Sequence, residues 1–282
     1  MNQNGGSKTI MLGNGLQLSY RMMGKGPPIL LLHGISSHSA AWQRVMDVLS
    51  TRYTIIAWDA PGYGGSALPE KPLHIADYAR IGKELLEELG FSSAVLVGHS
   101  FGAMVAIKWA HCYPETVNAL ILADVTFGHG NRDPDWRQQQ QDERAQLMRL
   151  SPEDYTKKRV PRLLSPHATP EVVAEAEAIV SRLHNDGYQA ALTVLFETDQ
   201  RTNVPTLRQP TLVVWGRHDV VTPYENAEWI RTQLGSSIVL IEDAGHWCYF
   251  EKPVEFCHAM ENFLCQQFSK ENGNDRRDPY GA

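Results

Sequence analysis

The sequence is poor in cysteine and has no pair of cysteines at the spacing of a redox or zinc motif. Its four cysteines are scattered along the chain: Cys112, Cys248, Cys257 and Cys265. In a chain of 282 residues this pattern indicates free thiols in a reducing compartment rather than a disulfide framework. We therefore expect a cytoplasmic protein, and we expect neither a metal site nor a cofactor.

Positive charge is also scarce, and no apolar stretch is long enough to cross a membrane. Lys and Arg number 26 against 32 Asp and Glu, which gives a formal net charge of −6. This balance argues against a nucleic-acid partner, and apolar runs of strand length argue against a transmembrane helix. Residues 1–7 are polar and rich in Gly, so we expect no secretory signal. These properties suit a small-molecule partner and leave a homodimer open.

Short apolar runs alternate with amphipathic segments of helix length. The first two runs, residues 9–12 and 16–22, flank Gly13-Asn14-Gly15, which is a hairpin signal. The other predicted strands are 28–32, 53–58, 94–97, 119–124, 210–216 and 237–241, and helices are predicted at 40–49, 75–89 and 253–268. Because such alternation builds βαβ units, we predict an α/β fold with a mainly parallel sheet.

The alternation stops after Val125. Residues 128–203 show no strand pattern and contain helical stretches at 136–150, 152–159, 170–183 and 188–196. We expect this insertion to lie over the carboxyl edge of the sheet, where ligands bind in open α/β folds. The predicted domains are a core of residues 1–127 and 204–270, a helical cap of residues 128–203 and a flexible tail of residues 271–282.

One stretch has the pattern of a nucleophile on a strained turn. Four apolar residues, 94–97, lead into Gly98-His99-Ser100-Phe101-Gly102, and helix-compatible residues follow. A turn this tight requires neighbours without side chains, which Gly98 and Gly102 provide. It exposes the Ser100 hydroxyl and places the Phe101 N–H at a helix start, where developing negative charge is stabilised. The alternative is an ordinary strand-to-helix turn with a serine cap.

Two further polar residues follow predicted strands and complete a catalytic pattern. Asp219 comes after the run at 210–216, and His246 comes after the run at 237–241. A serine hydroxyl is a weak nucleophile at neutral pH, so it needs an imidazole to accept its proton and a carboxylate to orient that imidazole. We predict Ser100 as the nucleophile, His246 as the base and Asp219 as the acid, with Asp124 as the competing acid.

The chain order Ser100, Asp219, His246 resembles that of the α/β-hydrolase superfamily. Further motifs extend the resemblance: His33-Gly34, the D-x-x-G-x-G-x-S loop at 59–66, Gly216-Arg217-His218-Asp219, and Gly245-His246 followed by Glu251 and Pro253. The resemblance covers residues 9–268. It implies an eight-stranded, mostly parallel sheet with an antiparallel second strand, helices on both faces and a helical cap inserted after strand 6.

An oxyanion hole needs two N–H donors that converge on one point. Phe101 is the first candidate donor. The second is expected in the loop after His33-Gly34, with Ile35 as the first choice and Ser36 as the next. We expect His33 and His99 to be scaffold residues, and Asp59 to hold its own loop together.

A serine at position 100 restricts the reaction. Haloalkane dehalogenases and epoxide hydrolases of this superfamily have an aspartate there, whereas a serine forms an acyl-enzyme from an activated carbonyl. The chain resembles 3-oxoadipate enol-lactonases, small carboxylesterases and, more weakly, meta-cleavage product hydrolases. We predict a serine hydrolase of carboxylic esters or lactones. The alternatives are a carbon–carbon or amide hydrolase with the same triad, a ligand receptor and a cofactor-free oxygenase.

Basic and aromatic residues of the predicted cap are candidates for substrate binding. An arginine of the basic cluster at 157–162 that points inward would bind a substrate carboxylate through two parallel hydrogen bonds. The alternative is a solvated helix face balanced by Glu153 and Asp154. Core packing is the alternative for the aromatic residues. The candidate binding residues are Arg159, Arg162, Trp136, Tyr188 and Trp247, the last of which follows the predicted base.

Overall fold

The computed structural model describes residues 6–268, so the tail predicted at 271–282 lies outside the described residues. Within residues 6–268, eight strands form one sheet in the order β1-β2-β4-β3-β5-β6-β7-β8. The strands are β1 (Lys8–Met11), β2 (Gln17–Met23), β3 (Pro28–Leu32), β4 (Thr54–Trp58), β5 (Ala94–His99), β6 (Val117–Ala123), β7 (Thr211–Gly216) and β8 (Ser237–Ile241). Every strand that the sequence predicts is present in this sheet.

The directions of the strands confirm the predicted fold class. β2 is antiparallel to β1 and β4, while every other neighbouring pair in the described sheet is parallel. The hairpin between β1 and β2 pairs Met11 with Gln17 across the predicted turn. Since parallel neighbours end at one edge of a sheet, the loops after β3, β5, β6, β7 and β8 emerge together.

Within the described residues, ten α-helices join and cover the strands. They are α1 (Gln43–Leu49), α2 (Ile75–Glu88), α3 (Phe101–Cys112), α4 (Pro134–Leu147), α5 (Pro152–Arg159), α6 (Pro170–Val180), α7 (Asn185–Glu197), α8 (Tyr224–Leu234), α9 (Cys248–Glu251) and α10 (Pro253–Phe268). Helix α8 was not predicted, although Pro223 precedes it and Gly235 ends it with a φ of +64°. Helix α4 begins two residues earlier than predicted, because Asp133 caps the N–H groups of Asp135 and Trp136.

Side chains of the strands alternate between two cores, one on each face of the sheet. On β3, Leu30 and Leu32 belong to the core covered by α2, α3 and α8. Ile29 and Leu31 belong to the other core, which α1 and α10 cover. Because both faces are buried, these strands appear in the sequence as continuous apolar runs rather than as alternating patterns.

The segment between β6 and β7 contains the helices α4 to α7. Helix α4 packs against α7, and α5 packs against α6. Tyr188 and Leu192 of α7 join the first core, whereas Val172 and Ile179 of α6 join the second. The insertion is therefore packed onto both sides of the α/β core. No helix in the described part of the chain is both long enough and apolar enough to cross a bilayer.

Candidate active site

Ser100 sits on a strained turn between β5 and α3. Its backbone has φ +52° and ψ −111°, a region that residues with a Cβ rarely adopt. The turn is fixed on both sides, because the Ser100 N–H donates to the carbonyl of Ala123 at 3.0 Å and the Ser100 carbonyl accepts from the Ala103 N–H at 3.0 Å. The hydroxyl is thus held at the carboxyl edge of the sheet.

The two glycines around this turn leave no room for a side chain. A Cβ on Gly102 would lie 2.1 Å from the carbonyl oxygen of Leu32, and one on Gly98 would lie 2.5 Å from the carbonyl oxygen of Gly102. Both contacts are to backbone atoms, which cannot rotate away. The close approach of α3 to β3 and β5 therefore requires glycine at both positions, as the motif predicts.

Replacing Gly102 with alanine is expected to destabilise the protein by about 3 kcal/mol or more, because overpacking against backbone cannot be relieved by a rotamer change. The matched control is Gly13→Ala, where the nearest atom to a new Cβ is Glu88 Oε1 at 3.7 Å. Urea unfolding followed by tryptophan fluorescence measures both variants. Equal unfolding midpoints for the two would contradict the packing argument.

His246 and Asp219 form a buried hydrogen-bonded pair. His246 Nδ1 lies 2.9 Å from Asp219 Oδ2. The Asp219 carboxylate also accepts from the N–H groups of Val221 at 2.6 Å and Thr222 at 3.1 Å, and from the Thr222 hydroxyl at 2.5 Å. Burial alone would raise the pKa of Asp219, but His246 and these donors keep its pKa below the usual value. The carboxylate is therefore ionised at neutral pH.

Asp124, the competing acid, is held in a different way. It follows β6 and is fully buried, and its Oδ1 accepts from the Gly216 N–H at 2.9 Å. Burial, and next the charge of Asp219, raise the pKa of Asp124 well above its usual value. Its Oδ2 lies 4.0 Å from His99 Nε2. In this structure the hydrogen-bonded partner of His246 is Asp219.

His99 connects the Ser100 turn to the loop that carries His246. Its Nε2 lies 2.7 Å from the carbonyl oxygen of His246, and the centroids of the two rings are 4.7 Å apart. Because a carbonyl oxygen only accepts, His99 Nε2 is the donor. Burial, and next His246, hold the pKa of His99 well below its usual value, so its ring is neutral.

The predicted nucleophile Ser100 and the predicted base His246 are not hydrogen-bonded to each other in this structure. Within residues 6–268, the His246 ring is hydrogen-bonded to Asp219, and no hydrogen bond joins it to Ser100 Oγ. Contacts of this kind are often long before substrate binds and tighten in the reacting complex. The Asp219–His246 half of the predicted triad is formed, and His99 holds the His246 loop against the Ser100 turn.

Two backbone N–H groups face the same cavity as Ser100. Ile35 and Phe101 both line it, and neither N–H donates to another group within residues 6–268. The Ile35 loop is fixed from behind, because the Tyr63 hydroxyl donates to the Ile35 carbonyl at 3.0 Å. These are the two residues predicted for the oxyanion hole.

His33 and Asp59 stabilise the loops beside this cavity. His33 donates from Nδ1 to the carbonyl of Gly34 at 2.9 Å and accepts at Nε2 from the N–H of Ala60 at 3.0 Å. Burial lowers the pKa of His33 to about 4, so it is neutral at pH 7. Asp59 accepts from the Ser39 N–H at 2.8 Å and from the Ser19 hydroxyl at 2.5 Å.

The cavity at Ser100 has a volume of about 90 Å³ and lies between the α/β core and the insertion. Its basic lining residues are Arg132, Arg144, Arg159, Arg201 and His129, and its lining contains no Asp or Glu. A second cavity of about 130 Å³ adjoins it and shares Arg144, Arg159 and Val221 with it. The four arginines therefore make the space beside the Ser100 hydroxyl positively charged.

The predicted substrate-binding residues are placed differently from one another. Arg159 is half-buried, lines both cavities and donates from Nε to the Ser36 hydroxyl at 2.9 Å. Arg162 and Tyr188 line only the second cavity. Lys157, in the same basic cluster, is exposed and pairs with Glu153 at 2.6 Å, as expected for a solvated helix face. Within this basic cluster, Arg159 therefore faces the cavities and Lys157 faces solvent.

Two of these predictions need correction. Trp247 is 1% exposed and packs in the hydrophobic core against Phe250, with ring centroids 5.2 Å apart, so its side chain does not line the cavity. Trp136 is 38% exposed and lies behind the lining, with its ring against His129 at 5.3 Å. The position of Trp247 next to His246 in the sequence did not predict the direction of its side chain.

Three further arginines line the cavity although no sequence motif predicted them: Arg132, Arg144 and Arg201. They come from three separate places, namely the loop after β6, helix α4 and the loop after α7. No local motif connects them, and a single arginine on a polar helix is ordinarily solvated. Only the packing of the insertion on the core brings them together.

Two groups of side chains offer potential metal ligands among the described residues. In the buried group, His99, Asp124 and His246 have ligand atoms within 4.8 Å of one another. Two of these nitrogens are already used, because His99 Nε2 donates to a carbonyl and His246 Nδ1 pairs with Asp219. The other group, His167, His218 and Asp243, lies at the surface away from the cavity.

A model of the alpha/beta hydrolase family matches residues 29–259 of the chain. The chain therefore belongs to the α/β hydrolase family, in agreement with the sheet and the Ser100 turn.

Individual relatives narrow the class. Pimeloyl-[acyl-carrier protein] methyl ester esterase of Vibrio vulnificus is 30% identical, over 87% of this chain and 97% of that protein. 3-Oxoadipate enol-lactonase 2 of Acinetobacter baylyi is 25% identical, over 90% of this chain and 95% of that protein. A thermophilic esterase from Thermogutta terrifontis superposes with a TM-score of 0.83 at 26% identity, covering 93% and 98% of the two chains. The chain is thus a hydrolase with esterase-like and lactonase-like relatives.

Proposed function

We propose that the protein is a serine hydrolase that cleaves a carboxylic ester or lactone of a small, carboxylate-bearing substrate through an acyl-enzyme. Ser100 acts as the nucleophile, His246 as the general base, Asp219 as the acid, and the N–H groups of Ile35 and Phe101 as the oxyanion hole. Residues 128–203 act as a cap over this site. The names of the relatives support the bond type, because one is named for a methyl ester and another for an enol-lactone.

The observation that carries the proposal is the meeting of Ser100 with two unused N–H donors in one cavity. Preorganised donors aimed at a developing oxyanion make the largest single contribution in many enzymes of acyl transfer. An ordinary serine cap would use its side chain on the helix N–H groups, whereas Ser100 makes no such cap bond. The alternative of a simple strand-to-helix turn is thereby disfavoured.

In the acylation step, Ser100 Oγ forms a bond to the carbonyl carbon of the ester while His246 Nε2 takes the hydroxyl proton. The Ile35 and Phe101 N–H groups stabilise the oxyanion of the tetrahedral intermediate. His246 then gives the proton to the leaving alcohol oxygen as the C–O bond breaks. Asp219, bound to Nδ1, keeps Nε2 free to accept the proton and stabilises the imidazolium.

In the deacylation step, His246 takes a proton from water, and the hydroxide attacks the acyl carbon. The tetrahedral intermediate collapses, the Ser100 Oγ–carbon bond breaks, and Ser100 recovers its proton from His246. The carboxylic acid leaves the cavity. In a lactone, both products remain one molecule, a hydroxy acid or its keto form.

Stopped-flow hydrolysis of p-nitrophenyl butyrate tests the acyl-enzyme. We expect a burst of p-nitrophenol followed by steady turnover, and we expect both to disappear in Ser100→Ala. Turnover that survives unchanged in this variant would exclude Ser100 as the nucleophile. Binding of the ester without any turnover in the wild-type protein would favour a receptor.

Arg159 is the residue that we assign to the substrate carboxylate. Its guanidinium has no carboxylate partner within residues 6–268 and is fixed by the Ser36 hydroxyl next to Ile35. Burial lowers the pKa of Arg159, yet an arginine remains charged at neutral pH. A half-buried cation beside the nucleophile and without an ionic partner is stabilised when an anion binds.

Arg159→Gln is expected to lower kcat/KM for monomethyl succinate about 10- to 100-fold more than for methyl butyrate, the magnitude of one hydrogen bond to a charged group. The matched control is Lys157→Gln, which removes a charge from the same helix at an exposed position. We expect Lys157→Gln to change kcat/KM by the same factor for the two esters. Equal losses on both esters in Arg159→Gln would contradict the assignment.

A further inference from the structure

Three arginines at the cavity lie apart from the contacts proposed for catalysis. Arg132, Arg144 and Arg201, which we call the arginine cluster, line the cavity together with Ser100. Arg201 is half-buried and pairs with Asp199 at 2.9 Å. Arg132 and Arg144 have no carboxylate partner within residues 6–268. The chain as a whole carries a net charge of −6, so this local excess of positive charge does not follow from composition.

The members of the arginine cluster are held in place by aromatic rings. The guanidinium of Arg132 lies 5.7 Å from the Trp136 ring, that of Arg144 lies 5.6 Å from the Phe196 ring, and that of Arg201 lies 5.8 Å from the Phe127 ring. Such contacts orient a guanidinium without using its N–H donors. Arg144 and Arg201 are half-buried and Arg132 is exposed, so the rings orient the first two most strongly and leave N–H donors for a ligand.

The charge of the arginine cluster matches that of a dianion. Asp199 balances Arg201, which leaves the two positive charges of Arg132 and Arg144. A phosphate monoester carries about −1.5 to −2 at pH 7 and offers three acceptor oxygens, which suit several guanidinium forks at once. A single carboxylate would leave one of the two charges without a partner.

We propose that the arginine cluster binds a phosphate monoester group of the substrate. This inference rests on the proposed function, because the cluster lines the cavity that contains Ser100. The substrate is then an ester or lactone with a phosphate that lies against Arg132 and Arg144, while Arg159 lies on the side of the cavity next to Ser36 and Ile35.

The pKa of His129 is expected to report whether phosphate is bound at the arginine cluster. The centroid of its ring lies 5.3 Å from that of the Trp136 ring and 5.0 Å from that of the Phe196 ring. Burial, and next the charges of Arg144, Arg132 and Arg201, lower the pKa of His129 to about 4. A phosphate anion bound among these arginines offsets their effect and favours the imidazolium, even as the monoanion that is present below a second phosphate pKa of about 6. The pKa of His129 is therefore expected to rise when phosphate binds.

The test is an NMR titration of the full-length Ser100→Ala protein with and without inorganic phosphate. We expect saturating phosphate to raise the pKa of His129 by about 1 to 3. His33, whose pKa of about 4 is set by burial and not by the arginine cluster, is expected to keep its value and serves as the internal control. An unchanged His129 at phosphate concentrations up to 50 mM, ~50 times a Kd of about 1 mM, overturns the inference.

Calorimetry measures the affinity for inorganic phosphate as a second test. Arg144→Gln is expected to weaken phosphate binding about 10- to 100-fold, and to raise the pKa of His129 in the absence of phosphate. Arg149→Gln removes an exposed charge near the end of α4, outside both cavities, and is expected to bind phosphate like the parent protein. Equal weakening in both variants would overturn the assignment of the cluster.

Succinate distinguishes a phosphate subsite from a dicarboxylate subsite. Phosphate is expected to bind at least about 10-fold more tightly than succinate, because three acceptor oxygens meet the cluster at one point. Tighter binding of succinate would overturn the phosphate assignment. The two proposals fail separately: esterase activity without phosphate binding overturns only this inference, whereas phosphate binding in a protein without any ester turnover overturns only the proposed function.

Discussion

Ser100→Ala is expected to lower kcat for p-nitrophenyl butyrate by about 10⁴- to 10⁶-fold, because no other group can form the acyl-enzyme. The folded state is expected to remain intact, since the Ser100 side chain makes no cap bond to α3. The residual rate over water would come from the oxyanion donors and from substrate binding. Steady-state kinetics and urea unfolding of the same preparation measure the two effects.

Ser100→Gly provides a second variant that separates catalysis from backbone strain. Glycine adopts the φ of +52° at this turn without strain, whereas serine and alanine adopt it only at a cost in free energy. We expect Ser100→Gly to be as inactive as Ser100→Ala. We expect its free energy of unfolding to be higher by about 1 kcal/mol, because glycine relieves the backbone strain and loses only part of that gain to its greater entropy in the unfolded chain. A lower free energy of unfolding in Ser100→Gly than in Ser100→Ala would contradict the view that the backbone at residue 100 is strained.

Asp219→Asn is expected to lower kcat by about 10⁴-fold. The carboxylate accepts from His246 Nδ1 at 2.9 Å and so leaves Nε2 free to act as the base. An asparagine amide can donate to Nδ1 instead, which selects the wrong tautomer and removes the charge that stabilises the imidazolium. Burst kinetics over a range of pH values measure the loss.

Asp124→Asn is the matched control, since it makes the same chemical change one strand away. Burial raises the pKa of Asp124 well above its usual value, so the loss of a negative charge is less costly there than at Asp219. An asparagine oxygen can still accept from the Gly216 N–H, as Asp124 Oδ1 does at 2.9 Å. We expect a change in kcat of less than about 10-fold. A large loss in Asp124→Asn together with a small loss in Asp219→Asn would identify Asp124 as the acid.

The sheet and the Ser100 turn were predictable from the sequence because both depend on local patterns. Buried parallel strands are continuous apolar runs, and the Gly98 to Gly102 motif has few conformations open to it. Beyond the first hairpin, the sequence did not predict which strands pair, because the sheet order β1-β2-β4-β3-β5-β6-β7-β8 places β4 between β2 and β3. The hydrolase class was nevertheless accessible from residue order alone, and the family match over residues 29–259 confirms it.

Helix α8 was not predicted because its local sequence pattern is too weak to indicate a helix. Only two of its residues, Ala227 and Ile230, are fully buried, while a glutamate and an arginine occupy exposed positions on it. A surface helix with so narrow an apolar stripe gives little periodicity to detect. Its packing on β7 decides its position, and that contact is not local in sequence.

The amino-acid sequence by itself predicted the strands in their order along the chain, the strained turn, and Ser100, Asp219 and His246 as candidate catalytic residues. Only the tertiary structure decided that Asp219 rather than Asp124 bonds to His246, that Arg159 turns inward while Lys157 turns outward, and that Trp247 is buried in the core. It also decided that Arg132, Arg144 and Arg201 meet beside Ser100. The physical reason is that strand and turn formation depends on neighbouring residues, whereas the direction of a side chain on a packed helix depends on distant segments that exclude water from it.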